Sequence, residues 1–217
     1  NIFALALYKT DSIGLVEAQM STHSHQLIQT SDPKGFMFSF RNSYAKYFNR
    51  KYGRSGRLGE DLHFELEVVG YHHLIAAASY VLRNPLHHGV APIPPIPYAY
   101  PHCSANAIFR KEMGKFLDEK LIPSRSYSKY IGRRAEVPDS YKMTESGVFT
   151  RESVLDIPQM EAHYGTPRAF NFYMTRKSSE EWEAEQKKDG NLMQPVNLQI
   201  IEKGVGMHDI DKMILFE

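Results

Sequence analysis

The sequence predicts an α+β fold, and three observations point to it. Apolar residues recur at intervals of three and four over residues 36–52 and again over 72–82, the spacing of amphipathic helices. Extended segments at residues 15–20 and 26–29 flank Thr22-His23-Ser24-His25. The 217 residues, 42% hydrophobic and 24% charged, have an ordinary globular composition and enough apolar mass to bury a core.

Taken in order, Ile2, Phe3, Leu5, Ala6 and Leu7 suit a first helix, and the two extended segments follow it. Asp32-Pro33-Lys34-Gly35 has the composition of a turn. Phe36, Phe40, Tyr44, Tyr47 and Phe48 make the apolar stripe of the next helix, and Tyr44, Tyr47 and Phe48 are expected in the core. Gly53-Arg54-Ser55-Gly56-Arg57 is a cationic loop, and residues 63–69 suit a strand. Leu74, Ile75, Ala77, Ala78 and Val81 carry a further helix, which Pro85 is expected to break.

Residues 92–101 hold five prolines in ten positions, a stiff extended connector. It divides the chain into a first unit, 1–91, the connector, 92–105, and an extension, 106–217. In that extension, helices are expected at 108–121 and 168–177, with a turn at 164–167. Residues 178–190 read as charged and solvated, and 196–203 as strand-like. There are no internal repeats.

A single cysteine, Cys103, excludes an internal disulfide framework and fits a reducing compartment, so a cytoplasmic location is expected. No run approaches the roughly 18 apolar residues of a membrane span, and the start at Asn1 carries no basic-then-apolar signal pattern. The formal net charge is +1, but it is unevenly spread. Residues 41–57 contain Arg41, Lys46, Arg50, Lys51, Arg54 and Arg57 with no acid, whereas residues 178–217 hold nine acids against four lysines. A local basic patch, rather than the total, steers phosphate.

His23 and His25 lie two apart, so on an extended strand both imidazoles project from one face and can converge on one ion. An exposed polar pair at a strand end is the plainer reading. Tyr80 and Asn84 lie four apart on a helix, on the same face one turn apart. With Pro85 ending the helix, both would sit at an exposed tip. A tyrosine hydroxyl, with a reference pKa near 10, is a poor nucleophile alone. A divalent ion that polarises the attacked phosphate compensates, and the Asn84 amide oxygen can complete its shell.

Three blocks then resemble, in order and spacing, those of the REP-associated tyrosine transposases, which belong to the single-tyrosine HUH family of insertion-sequence transposases. They are Thr22-His23-Ser24-His25-Gln26-Leu27-Ile28, Tyr47-Phe48-Asn49-Arg50-Lys51-Tyr52-Gly53-Arg54-Ser55-Gly56-Arg57-Leu58, and Tyr80-Val81-Leu82-Arg83-Asn84-Pro85-Leu86-His87-His88-Gly89-Val90. The resemblance covers roughly residues 1–91. It implies a ferredoxin-like antiparallel sheet carrying the histidine pair, helices packed on it, and a mixed, mainly helical C-terminal extension. It also implies strand cleavage and rejoining of single-stranded or hairpin DNA through a 5′-phosphotyrosine. In that reaction Tyr80 is the nucleophile, His23, His25 and Asn84 are the metal ligands, and Mg2+ or Mn2+ is the ion. Two imidazoles and an amide are softer than those ions prefer, so zinc also fits.

The chain departs from the family in two respects. Ser24 stands where a bulky apolar residue is usual, and the strand that precedes the first helix in the family is either upstream of Asn1 or absent.

Arg50, Lys51, Arg54 and Arg57 are the expected DNA contacts, at a helix end and in a glycine loop. His72, His73, His87 and His88 form adjacent pairs whose side chains diverge, and are read as structural or surface residues; His63 lies on a strand within reach of the site. The C-terminal half either shapes a groove for folded DNA ends through Arg125, Lys129, Arg133, Arg134, Arg168, Arg176 and Lys177, or is a packing or dimerising extension. A protein that binds DNA hairpins without cutting is the alternative to an enzyme.

Overall fold

The computed structural model describes residues 1–20, 22–58, 64–90, 100–113, 120–131 and 135–176, and the backbone of the strand Lys212–Phe216. Helix α1, Ile2–Lys9, buries Phe3, Ala4, Ala6 and Leu7 and leads into strand β1, Ile13–Gln19. Strand β2, Ser24–Thr30, pairs antiparallel with β1, with Ala18 opposite His25. The Met20 N–H donates to the His23 carbonyl at 2.8 Å and closes the hairpin, leaving His23 one residue outside the strand.

Asp32-Pro33-Lys34-Gly35 is a helix start, not a turn. The Asp32 carboxylate accepts from the Gly35 N–H at 2.9 Å and Pro33 occupies the first helical position, so the residues of a turn act here as an N-cap. Helix α2, Pro33–Tyr52, buries only Phe36 and Met37 and ends at Gly53, whose φ of 60° suits a glycine terminator. Tyr44 and Tyr47 therefore lie exposed, at 46% and 51%, and not in the core as their spacing suggested. The helix outruns the core that its first turns meet.

Strand β3, Glu65–Val68, is followed by helix α3, Tyr71–His87, which packs across β1, β2 and β3 and buries residues along its whole length, from Leu74 to Pro85. Pro85 does not break it. The missing N–H falls in the last turn, where the chain closes by other bonds: Gly89 N–H to the Leu86 carbonyl and Val90 N–H to the Pro85 carbonyl, both at 3.0 Å. That pair of bonds, with Gly89 at φ 64°, is a Schellman terminator and makes His88 the capping residue.

Beyond come α4, Arg110–Met113; β4, Leu121–Ile122; α5, Ser128–Ile131; β5, Met143–Thr144; α6, Arg151–Val154; α7, Ile157–Tyr164; α8, Pro167–Thr175; and β6, Lys212–Phe216. The helix expected over 108–121 is thus confined, in the described residues, to one turn, and Leu121 pairs in a two-stranded sheet with Thr144. The helix expected from residue 168 is α8, capped by Thr166. His63, most of the proline connector, Arg133, Arg134, Lys177, and the segments 178–190 and 196–203 lie outside the described residues.

The main sheet has the order β1-β2-β6-β3, with every neighbouring pair antiparallel. The fold is therefore mixed, helices with small antiparallel sheets. One hydrophobic cluster joins Leu7, Leu15, Leu27, Phe36 and Leu82 to Ile108, Met160, Phe170 and Met174. Residues 100–107 brace the free edge of β1. The Ser104 hydroxyl accepts from the Glu17 N–H at 2.9 Å and donates to the Glu17 carbonyl at 3.0 Å, and the Tyr100 hydroxyl donates to the Gln19 carbonyl at 2.8 Å. The buried Glu17 carboxylate pairs with Arg151 of α6. Burying both charges is tolerable only because they meet.

Candidate metal centre

Two pieces of backbone bring the site together. The β1–β2 hairpin supplies His23 from its turn and His25 from the first residues of β2. The last turn of α3 supplies His88 from its cap. One ring nitrogen from each of these three histidines lies within 4.8 Å of the others, a group able to hold a metal ion. The His23 and His25 rings meet edge-on at 4.8 Å, His23 and His88 at 4.9 Å, and His25 and His88 lie 6.4 Å apart. His25 is buried, 4% exposed, while His23 and His88 face solvent, so the cluster has a closed floor and an open side.

Tyr80 borders this cluster. Its ring lies edge-on to His25, 5.7 Å between centroids, and it is 43% exposed. His87 lies 6.3 Å from the same ring. Asn84 sits between Tyr80 and His88 on one face of α3, at steps of four residues. It is buried rather than at an exposed tip, and its amide nitrogen donates to the Tyr80 carbonyl at 3.2 Å. The helix continues past it for another turn, which is why the expected tip is not there. Ser24, on the opposite side of the strand from His25, is half-buried and accepts from the Gln26 side-chain amide at 3.3 Å, so a polar contact stands in the place of an apolar one.

Of the residues singled out in the sequence, His23, His25 and Tyr80 come together and Asn84 lies alongside. The sequence reads His88 as structural or surface, because adjacent residues diverge; in the structure His88 joins the cluster while His87 lies near the Tyr80 ring. The signal that would have found it is Gly89. A glycine just past a periodic helix marks its end, and a helix ending there carries Tyr80, Asn84 and His88 at positions i, i+4 and i+8.

Arg50, Lys51, Arg54 and Arg57 form a separate exposed group at the end of α2. The Lys51 ammonium lies over the rings of Tyr47 and Tyr52, at 5.7 and 5.3 Å, and the Arg54 guanidinium over Phe48, at 5.8 Å. A hydrogen bond with Tyr47, and then the charge of that phenol, raise the Lys51 pKa. The glycine loop is folded back on the helix: the Asn49 amide donates to the Gly56 carbonyl at 2.7 Å, and the Arg54 N–H to the Asn49 carbonyl at 2.9 Å. Cations that flank exposed aromatic faces suit a phosphate backbone with unstacked bases.

Comparisons with protein-family models, with curated proteins and with solved structures return no match. Among the described residues no helix is long and apolar enough to cross a membrane.

Proposed function

We propose that this chain cuts and rejoins single-stranded DNA with Tyr80 as the nucleophile, as a transposase of the single-tyrosine HUH kind or a domesticated relative acting on hairpins. The observation that carries the reading is the seat of Tyr80, partly exposed and edge-on to His25 of a three-histidine cluster. A backbone phosphate entering there can meet the phenol and the cluster together.

The phenolic oxygen of Tyr80 attacks phosphorus, forming the tyrosyl phosphate ester as the bond to the 3′ oxygen breaks. The phenolic proton is lost and the departing oxygen gains one, leaving a free 3′-hydroxyl and a 5′-phosphotyrosyl end. One ester replaces another, so the reverse reaction rejoins the strand without an outside energy source. His23 and His25, with Asn84 or His88, would hold a divalent ion, Mg2+ or Mn2+ by resemblance, that neutralises charge on the phosphate. Arg50, Lys51, Arg54 and Arg57 would hold the strand on either side of the cut. A ferredoxin-like sheet is supported by the antiparallel pairing, with the interior place between β2 and β3 taken by β6. The reading implies a cytoplasmic protein whose partner is hairpin DNA.

Incubating the full chain with hairpin-bearing single-stranded DNA and Mn2+ is expected to give a covalent protein–DNA adduct that survives denaturing electrophoresis, and Tyr80→Phe should remove it. A folded protein that binds the hairpin and yields no adduct would instead be a binding protein that does not cut.

A further inference from the structure

We infer that the centre is a three-histidine site, with His88 as its third protein ligand, and that it selects a borderline transition metal of the zinc and cobalt type over Mg2+. The inference rests on the histidine pair of the proposed nuclease site, but not on DNA cleavage.

Mg2+ demands oxygen donors and sheds water reluctantly, whereas imidazole is the ligand of choice for zinc, cobalt, nickel and copper. Three imidazoles and no carboxylate supply what the second group of ions prefers and nothing that the first requires. Among the described residues the group able to hold an ion is His23, His25 and His88, with no aspartate or glutamate in it.

The geometry agrees with the chemistry. Nitrogens bound to one tetrahedral ion with bonds near 2.0 Å lie about 3.3 Å apart. Those of the cluster lie within 4.8 Å, so each imidazole has about an ångström to close, which rotation of two exposed side chains can provide. His25 is the fixed member, buried at 4% exposure and held in strand pairing opposite Ala18. His23 and His88 are the adjustable ones.

Asn84 is the competing third ligand. Its ligand atom would be the amide oxygen, whose orientation is tied to the bond from the amide nitrogen to the Tyr80 carbonyl, one turn back along its own helix. His88 instead lies one turn on, with its ring 4.9 Å from that of His23. Three imidazoles on one side leave the remaining positions of the ion open toward solvent and Tyr80, the arrangement of catalytic rather than structural zinc sites.

The test is metal binding by the untagged, metal-stripped chain, followed by titration calorimetry with Zn2+ and visible absorption with Co2+. The expected result is one ion per chain, a Co2+ spectrum in the visible range, and no displacement of Co2+ by a hundredfold excess of Mg2+. His88→Ala and His88→Asn should each weaken Co2+ binding by at least about tenfold and alter the spectrum. Asn84→Ala should weaken Co2+ binding far less than either His88 variant does. Because His88 is an exposed capping residue, its variants should keep the wild-type circular dichroism. Unchanged binding in both His88 variants, loss of binding in Asn84→Ala instead, displacement of Co2+ by Mg2+, or a wild-type chain that binds no transition metal would each overturn the inference. The DNA adduct assay is read separately. Tight Co2+ binding without an adduct removes the nuclease reading and leaves this one standing. A wild-type chain that binds no Co2+ yet forms the adduct with Mg2+ does the reverse.

Discussion

The two long helices of the first ninety residues look alike in sequence and do opposite things. Helix α2 is the longer, yet only Phe36 and Met37 are buried, and its second half extends past the sheet as a cationic, aromatic arm. Helix α3 buries a face that runs from Leu74 to Pro85, with Val81 and Leu82 fully enclosed, and its end brings His88 to a histidine cluster that Tyr80 borders. Apolar residues at helical spacing thus mark a face without saying what covers it. On α3 the sheet, α7 and α8 cover it, down to a bond between the Ser79 and Tyr164 hydroxyls at 3.1 Å. On the end of α2 the aromatics meet one another, the Lys51 ammonium and the Arg54 guanidinium, and Tyr44, Tyr47 and Tyr52 stay exposed.

Substitutions in the two helices should therefore differ sharply. Leu82→Ala should cost about 3 kcal/mol in denaturant unfolding, since it opens a cavity in a closed core. Cys103, whose thiol donates to the Leu82 carbonyl at 3.4 Å, is pushed up to about 12 by burial. Above pH 9 the unfolded chain loses a thiol proton that the folded chain keeps, so stability should fall by roughly 1.4 kcal/mol per pH unit between about pH 9 and 12 from this group. Cys103→Ala should remove that part of the slope. Gly89→Ala meets no neighbouring atom but must hold φ near 64°, so it should cost about 1 kcal/mol and weaken Co2+ binding by displacing His88.

On α2 the effects should be on binding and not on folding. Replacing Arg54 and Arg57 together should lower the slope of log affinity for hairpin DNA against log salt by about 1.5, with an unchanged melting temperature. An unaltered slope would remove these residues from the DNA interface. Tyr44→Ala, the smallest, should stay within about 0.5 kcal/mol of wild type. A loss comparable to that of Leu82→Ala would mean that the arm is packed against something after all.

Much of this organisation was legible in the residues. The first helix, the hairpin strands and the two long helices follow from apolar spacing, and the histidine pair is visible as a pair. What escaped was set by tertiary context. Asp32-Pro33 serves a turn and a helix start equally well, and only the Gly35 N–H, bound to the Asp32 carboxylate, decides between them. Pro85 breaks a helix when the lost bond is interior, but here it falls next to a terminator that Gly89 completes. The strand at Leu121 is fixed by its partner Thr144, far along the chain, which no local pattern carries. His88 escaped for the same reason as the helix end, since its place in the cluster depends on where α3 stops.

The central claim is that Tyr80, among thirteen tyrosines, is the residue that becomes joined to DNA. Trapping the full chain on a hairpin substrate with Mn2+, digesting protein and DNA, and sequencing the nucleotide-bearing peptide by mass spectrometry tests it directly. Trypsin should release the peptide that ends at Arg83, which contains both Tyr71 and Tyr80. The account predicts the nucleotide on Tyr80 and none on Tyr71. A modified peptide from any other part of the chain, or the nucleotide on Tyr71, would contradict it.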